Sequence, residues 1–203
     1  ILGKSQGQPV WKLLGGRKSD RLPAYASGGW ADAGNIGDQL KSYIDKGGFG
    51  AVKMRVGAMD GAPCVSADRV KAARTALGPN VDLMVDAHGT YTVADAKRFA
   101  HQVRDCDLAW FEEPIIADDK VGMAELRAAT HIPVAAGESE ATRYAFHDLA
   151  VWRAADLFHT NPASTCGLIE QQHLGTTAML YNLKHIPPRR GGCRTLASGV
   201  RCS

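Results

Sequence analysis

The sequence lacks long apolar runs. No stretch of about 18 consecutive apolar residues occurs, so no transmembrane helix is expected. Residues 1–16, ILGKSQGQPVWKLLGG, lack the apolar core and cleavage site of a secretory leader. No initiator Met stands at position 1, so a native start is not expected there. The five cysteines, Cys64, Cys106, Cys166, Cys193 and Cys202, form no CxxC pair and are odd in number. That spacing argues against a disulfide framework and against structural zinc, and it suits a reducing cytoplasm. Charge of one sign is scarce too. The net charge of +3 is too small to point to nucleic acid or an anionic membrane, and Arg189, Arg190, Arg194 and Arg201 contribute to it. No Gly-rich phosphate loop follows the first apolar run, which weakens a dinucleotide-binding reading. No Gly-x-Ser-x-Gly elbow presents a serine nucleophile.

What is present is a rhythm. The 203 residues, 45% of them hydrophobic, suffice for one substantial core. From about residue 21 to 162, short apolar runs end in small or polar residues and helical stretches follow. Strands are expected near 23–27, 50–56, 82–87, 108–112, 133–137 and 156–160. Helices are expected near 33–47, 66–77, 93–104, 119–130, 142–153 and 167–182. Val93, Ala96, Ala100 and Val103 share one face at the 3.6 period, with Thr92 as N-cap and Asp95 in the first turn. Such alternation implies a parallel sheet covered by helices, and both an open doubly wound sheet and a (β/α)₈ barrel fit it.

Three acids stand at equal intervals, each at the end of an apolar run. They are Asp86 in LMVDAHG, Glu112 in LAWFEEP and Glu138 in IPVAAGE, with 112 − 86 = 26 and 138 − 112 = 26. A βαβ crossover uses roughly 30 residues, so each interval matches one such unit. If each acid ends a parallel strand, all three emerge at one rim. Three carboxylates there suit a hard divalent cation, Mg²⁺ above all. Acids on successive strand ends favour the barrel, whose catalytic residues come from several strand ends on one face. Taken singly, each acid could equally cap the next helix. Glu113 is the weaker of the EE pair, because neighbours on a strand point oppositely and Pro114 restrains it to extended backbone.

Lys53 and Arg55 alternate along AVKMRVG, so a strand puts both on one face. Two cations on an inward face need a partner, and a metal-bound carboxylate substrate would be one. The alternative is an edge strand with both side chains solvated. His88 follows Asp86 by two residues and shares its face if the strand continues, where it could act as general acid or base. His101, His131, His147 and His173 fall in or beside expected helices and read as surface residues.

KMRVG, VDAHG, FEEP and AAGE, in this order, resemble the barrel of the enolase superfamily in its mandelate racemase and muconate-lactonizing branch. The opening 16 residues resemble the segment that leaves that family's capping domain. The resemblance implies a TIM-type (β/α) barrel, here incomplete at its C-terminal end. Residues 1–20 would be a capping-domain remnant and entry segment, 21–187 a partial barrel and 188–203 an atypical tail. An incomplete barrel would leave open sheet edges. It also implies Mg²⁺ on Asp86, Glu112 and Glu138, holding the carboxylate of a small-molecule substrate. A base then removes the α-proton and the metal stabilises the enediolate. Lys53 matches the first Lys of the family's Lys-x-Lys and would help hold the charge. Arg55 stands where the racemases keep a Lys base, and a guanidinium is a clamp rather than a base. His88 resembles the His of the family's acid-sugar dehydratases, which assists loss of a hydroxyl as water. The resemblance therefore implies a Mg²⁺-dependent acid-sugar dehydratase, with a racemase or epimerase as the alternative. Its parent is expected to be a cytoplasmic homo-oligomer.

Two departures weigh against activity of the chain by itself. Asn161 in DLFHTNP takes the position of a family Asp that is paired with a His. Asn cannot supply that negative charge. Pro188, in HIPPRRGG, takes the position of the His itself. One base inserted within Pro-His-Gly codons would give Pro-Pro-Arg, so a frameshift near residue 188 is one expectation. A non-catalytic metal-binding remnant is the other.

Overall fold

The computed structural model describes residues 1–16 and 23–187. The expectations placed on the boundary at 20/21 and on the tail 188–203, Pro188 included, lie outside the described residues. The chain divides into two compact units, one of residues 24–136 and 149–156, the other of 1–23, 137–148 and 157–203.

The first unit is a five-stranded parallel sheet covered by helices. Its strands are β1 (Ala26–Gly28), β2 (Ala51–Arg55), β3 (Asp82–Asp86), β4 (Leu108–Glu112) and β5 (Val134–Ala136), paired in chain order. Each crossover carries a helix, as parallel strands require. These are α3 (Ile36–Gly47), α4 (Pro63–Leu77), α5 (Val93–Gln102) and α6 (Lys120–Ala129), counting α1 (Leu2–Ser5) and α2 (Val10–Leu13) as the helices of the opening segment. The strands are fully apolar where they meet helices. Val52, Met54, Leu83, Val85 and Phe111 are all completely buried. Phe99 of α5 packs on Phe111 with ring centres 5.0 Å apart, and Tyr91 stacks on Phe99 at 5.6 Å.

Local sequence explains most of the boundaries. Thr92 caps α5, its side chain accepting from Asp95 N at 3.1 Å. Gly48 closes α3 at φ 64°, where its N–H reaches the Ile44 carbonyl. Helix α4 starts at Pro63, three residues before the expected 66, because proline is well suited to a first helical position. Arg127 of α6 pairs with Asp156 at 2.6 Å, and Asp156 also accepts from Val134 N.

The second unit holds α1, α2, the start of α7 (Arg143–Val151), β6 (Leu157–Phe158), α8 (Leu168–Leu180) and β7 (Lys184–His185). Strand β7 has only two residues and no sequence signal marked it. It pairs in parallel with β6, Phe158 opposite His185. Phe146 and Phe158 meet edge to face at 5.1 Å. A buried polar set lies alongside: Thr160 Oγ1 donates to Gln171 Oε1 at 2.5 Å and sits 2.6 Å from His185 Nε2.

Burial, and then the neighbouring His159, lower the His185 imidazole from its ordinary value of 6.5 to about 4. In the unfolded chain it takes up a proton near pH 6.5, and the folded chain resists it. The stability this neutral histidine contributes is therefore whole above pH 6.5 and lost as pH falls to about 4. At full loss it amounts to about 3 kcal/mol. Urea unfolding at pH 7 and pH 4 measures it. His185→Asn should flatten that part of the pH dependence, and an equally steep variant would assign the effect elsewhere.

Among the described residues, no helix is long and apolar enough to cross a membrane.

Candidate active site

Strand pairing puts Arg55 opposite Asp86 and Asp86 opposite Glu112. Three consecutive strands therefore present a cation and two carboxylates at one level, at their C-terminal ends. Lys53 lies two residues before Arg55 and so on the same side. Its Nζ hydrogen-bonds Glu112 Oε2 and stands 3.6 Å from Asp86 Oδ2. Arg55 Nη1 donates to Asp86 Oδ1 at 2.9 Å. Strand β2 is flanked by β1 and β3, so the edge-strand alternative for these two cations does not hold.

The cluster is dry. Lys53 is 6% exposed, Asp86 4% and Glu112 1%. Burial alone would lower the Lys53 ammonium, but the Glu112 carboxylate, with Tyr25 and Asp86, outweighs it and holds the pKa above the ordinary lysine value. Lys53 is thus a fixed positive charge. Asp86 is raised by burial first and by Glu112 second, against the pull of Lys53 and Arg55. Tyr25 lines the same space, with Lys53 Nζ 5.6 Å from its ring centre and the Trp110 ring edge-on at 5.5 Å.

His88 reaches the rim by a different route from the expected one. Strand β3 stops at Asp86, and His88 has φ 50°. The backbone turns there instead of continuing extended. Its N–H donates to Asp86 Oδ1 at 3.0 Å, and its half-exposed ring puts Nδ1 3.6 Å from Glu113 Oε2. Glu113 corrects a second expectation. It has φ 37°, not extended backbone, despite Pro114. Its carbonyl accepts from Gly89 N at 2.7 Å and its N–H donates to Ala135 O at 2.8 Å, and these two bonds outweigh the local preference. The second acid of FEEP is thus a buried neighbour of His88.

Equal sequence intervals do not give equal register for the third acid. Glu112 pairs with Ala135, so one level is crossed in 135 − 112 = 23 residues, against 26 between Asp86 and Glu112. Glu138 lies two residues beyond the end of β5, half-buried, in the second unit. Among the described residues, no group of three His, Cys, Asp or Glu side chains is arranged to hold a metal ion. Asn161 turns the chain after β6, its Oδ1 accepting from Ala163 N at 3.0 Å. His101, His131, His147 and His173 are exposed, as expected.

Two features of the rim escaped the sequence. Arg69 of α4, 3% exposed, sends its guanidinium beneath the loops after β1 and β2. It donates to Gly29 O (3.1 Å), Ala31 O (2.8 Å), Arg55 O (2.9 Å) and both oxygens of Asp60 (2.9 and 3.0 Å). Ser66 also donates to Asp60, and Tyr91 OH donates to Ser66 Oγ at 2.7 Å, its own phenol pushed up to about 12 by burial. The second feature is Trp30, whose ring centre lies 5.4 Å from Arg55 Cζ.

The family model described as Enolase C-terminal domain-like matches residues 35–199. Arabinonate dehydratase of Saccharolobus solfataricus is 31% identical over 196 residues, which cover 95% of this chain and 52% of that protein. The 3,6-anhydro-alpha-L-galactonate cycloisomerase of Streptomyces coelicolor is 42% identical over 143 residues, 69% of this chain and 38% of that one. Among solved structures, an enolase from Bradyrhizobium complexed with magnesium and mandelic acid matches with a TM-score of 0.85 at 29% identity, over 92% of this chain and 51% of that chain. The chain spans about half the length of the curated relatives it matches.

Proposed function

Because this chain belongs to the Enolase C-terminal domain-like family and shares the parallel α/β barrel fold of its solved relatives, we propose that it carries the chemistry of a Mg²⁺-dependent acid-sugar dehydratase. The observation that carries this is the cluster of buried Lys53, Asp86 and Glu112 with half-buried Arg55 at adjacent strand ends. Residues 21–187 are assigned to the barrel, 1–20 to its entry segment and 188–203 to a tail.

The two acids that share the row suit Mg²⁺ by donor type. Asp86 and Glu112 are adjacent in register, both are buried, and both offer hard oxygen donors. Glu138 is nominated as the third ligand by its spacing and by the family resemblance. Mg²⁺ bound there would supply electrophilic stabilisation to a carboxylate that gains a second negative charge.

Each residue of the chain then has a separable task. Lys53, held protonated by Glu112, places a permanent positive charge beside the carboxylate end of the substrate. Arg55 clamps Asp86 and presents a second cation that cannot act as a base near neutrality. The α-proton of a carboxylate becomes removable only when such fixed charge faces the developing dianion. His88 is the one of the three proposed catalytic residues whose side chain can serve as both acid and base. Its ring would take up the α-proton as the C–H bond breaks and give a proton to the departing hydroxyl as the C–O bond breaks, so that water leaves. Glu113 beside it favours the ring orientation that permits this.

The stretch of 42% identity with a cycloisomerase favours a second reading, in which the same α-proton abstraction precedes closure or opening of a ring. A racemase reading has less support, since Arg55 replaces the lysine base that resemblance would require.

Calorimetric titration with Mg²⁺ tests the metal set. Glu112→Gln and Glu138→Gln should each weaken binding about tenfold or more, since each removes a charged oxygen donor. Unchanged affinity in Glu138→Gln would remove that residue from the set. Sugar acids incubated in D₂O with Mg²⁺ should then exchange their α-proton. Tight Mg²⁺ binding without any exchange would favour the non-catalytic remnant.

A further inference from the structure

Trp30 is 59% exposed, yet the backbone around it is held by side chains from two helices. Gln39 Oε1 accepts from both Trp30 N (2.9 Å) and Ala31 N (3.0 Å). Arg69 takes the carbonyls on either side, Gly29 O and Ala31 O, and a third bond from the same guanidinium holds the Arg55 carbonyl. Gly29, at φ 86°, lets the loop press onto β2, where a Cβ would lie 2.8 Å from that of Met54. Buried Arg69 and half-buried Gln39 therefore fix the loop that carries a mostly exposed indole. An indole held in this way offers a rigid, flat apolar surface for something to cover.

The position of the indole indicates what that is. Its ring stacks against the Arg55 guanidinium, and that guanidinium pairs with Asp86. Indole, cation and carboxylate follow one another along the rim. We infer that Trp30 is a specificity-determining residue, its indole forming the wall for the carbon chain of an acid whose carboxylate end lies at Asp86 and Glu112. The inference rests on the proposed function of that cluster. A sugar acid suits the wall because its hydroxyls leave a C–H face that an aromatic ring can cover, while its head needs only the charged cluster. Gln39 and Arg69 act as positioning residues for the wall.

The test compares two probes in the presence of Mg²⁺ by calorimetry on the whole chain. Glycolate carries the carboxylate head and no chain. Galactonate carries the same head and a long polyhydroxy chain. In Trp30→Ala the ratio of galactonate to glycolate affinity should fall about tenfold, and in Trp30→Phe it should return to within about twofold of the parent. Using the ratio cancels any general weakening from loss of the stack on Arg55. If Trp30→Ala does not fold, Trp30→Leu carries the comparison, since it keeps apolar bulk and loses the flat ring. An unchanged ratio with glycolate still bound overturns the wall and leaves the proposed function standing. Failure of the parent chain to bind either acid with Mg²⁺ removes the proposed function, and the wall with it.

Discussion

Lys53→Met should lower the stability of the fold by about 3–5 kcal/mol, the usual cost of removing one partner from a buried ion pair. Lys53 is the ammonium between two buried carboxylates, bonded to Glu112 and 3.6 Å from Asp86. Methionine keeps the length and apolar stem but leaves Glu112 and Asp86 facing each other with only Arg55 on the Asp86 side. The remaining carboxylates would respond by taking up a proton, which recovers part of the loss. Urea unfolding near pH 7 measures the effect as a shift of midpoint at constant slope. The double variant Lys53→Met/Glu112→Gln should regain much of it, because the second change removes the stranded charge. A single variant as stable as the parent would show that Lys53 does not balance this cluster.

Arg69→Met is expected to cost a similar amount, about 3–5 kcal/mol, for a different reason. Here one guanidinium serves three backbone carbonyls and the buried Asp60 carboxylate. Its loss leaves acceptors without donors in a place that water enters poorly. Arg69→Lys should recover only part, since an ammonium cannot fan out to four groups at once. Lys71, on the same helix, is the control. Its side chain is half-exposed and 3.9 Å from Asp68, and Lys71→Ala should stay within about 0.5 kcal/mol of the parent. Equal midpoints for the Arg69 and Lys71 variants would remove the buried network as a stabilising element.

The sequence made some of this visible and concealed the rest for identifiable reasons. Parallel strands buried on both faces are short apolar runs, so β2, β3 and β4 stood out. The period of two put Lys53 and Arg55 on one side, and pairing with β3 brought them to Asp86. Thr92 was readable as a cap because capping is a contact three residues long. Arg69 was not readable. An arginine on a helix looks solvated from its neighbours, and nothing local says that the loops after β1 and β2 will close over it. The backbone at Glu113 and His88 was not readable, because a left-handed conformation is decided by hydrogen bonds to β5 and between the two loops. Glu138 stands outside the shared register because spacing counts residues along the chain, whereas the sheet counts hydrogen-bonded pairs. Trp30 carried no signal, since a lone aromatic near a strand end is ordinary in a core.

The level shared by Arg55, Asp86, Glu112 and Ala135 is crossed by connections of unequal length: 31 residues, then 26, then 23. Hydrogen bonds between neighbouring strands, rather than the helices outside them, hold that row in line. Lengthening or trimming an outer helix by a turn would leave the row where it is, so the outer layer can drift over evolutionary time while the chemistry stays put. A shift of one residue within a strand has no such freedom, because it would turn a row of charged side chains toward the helices. Divergence among relatives of this chain should therefore gather as insertions and deletions in the crossovers, with strand lengths kept.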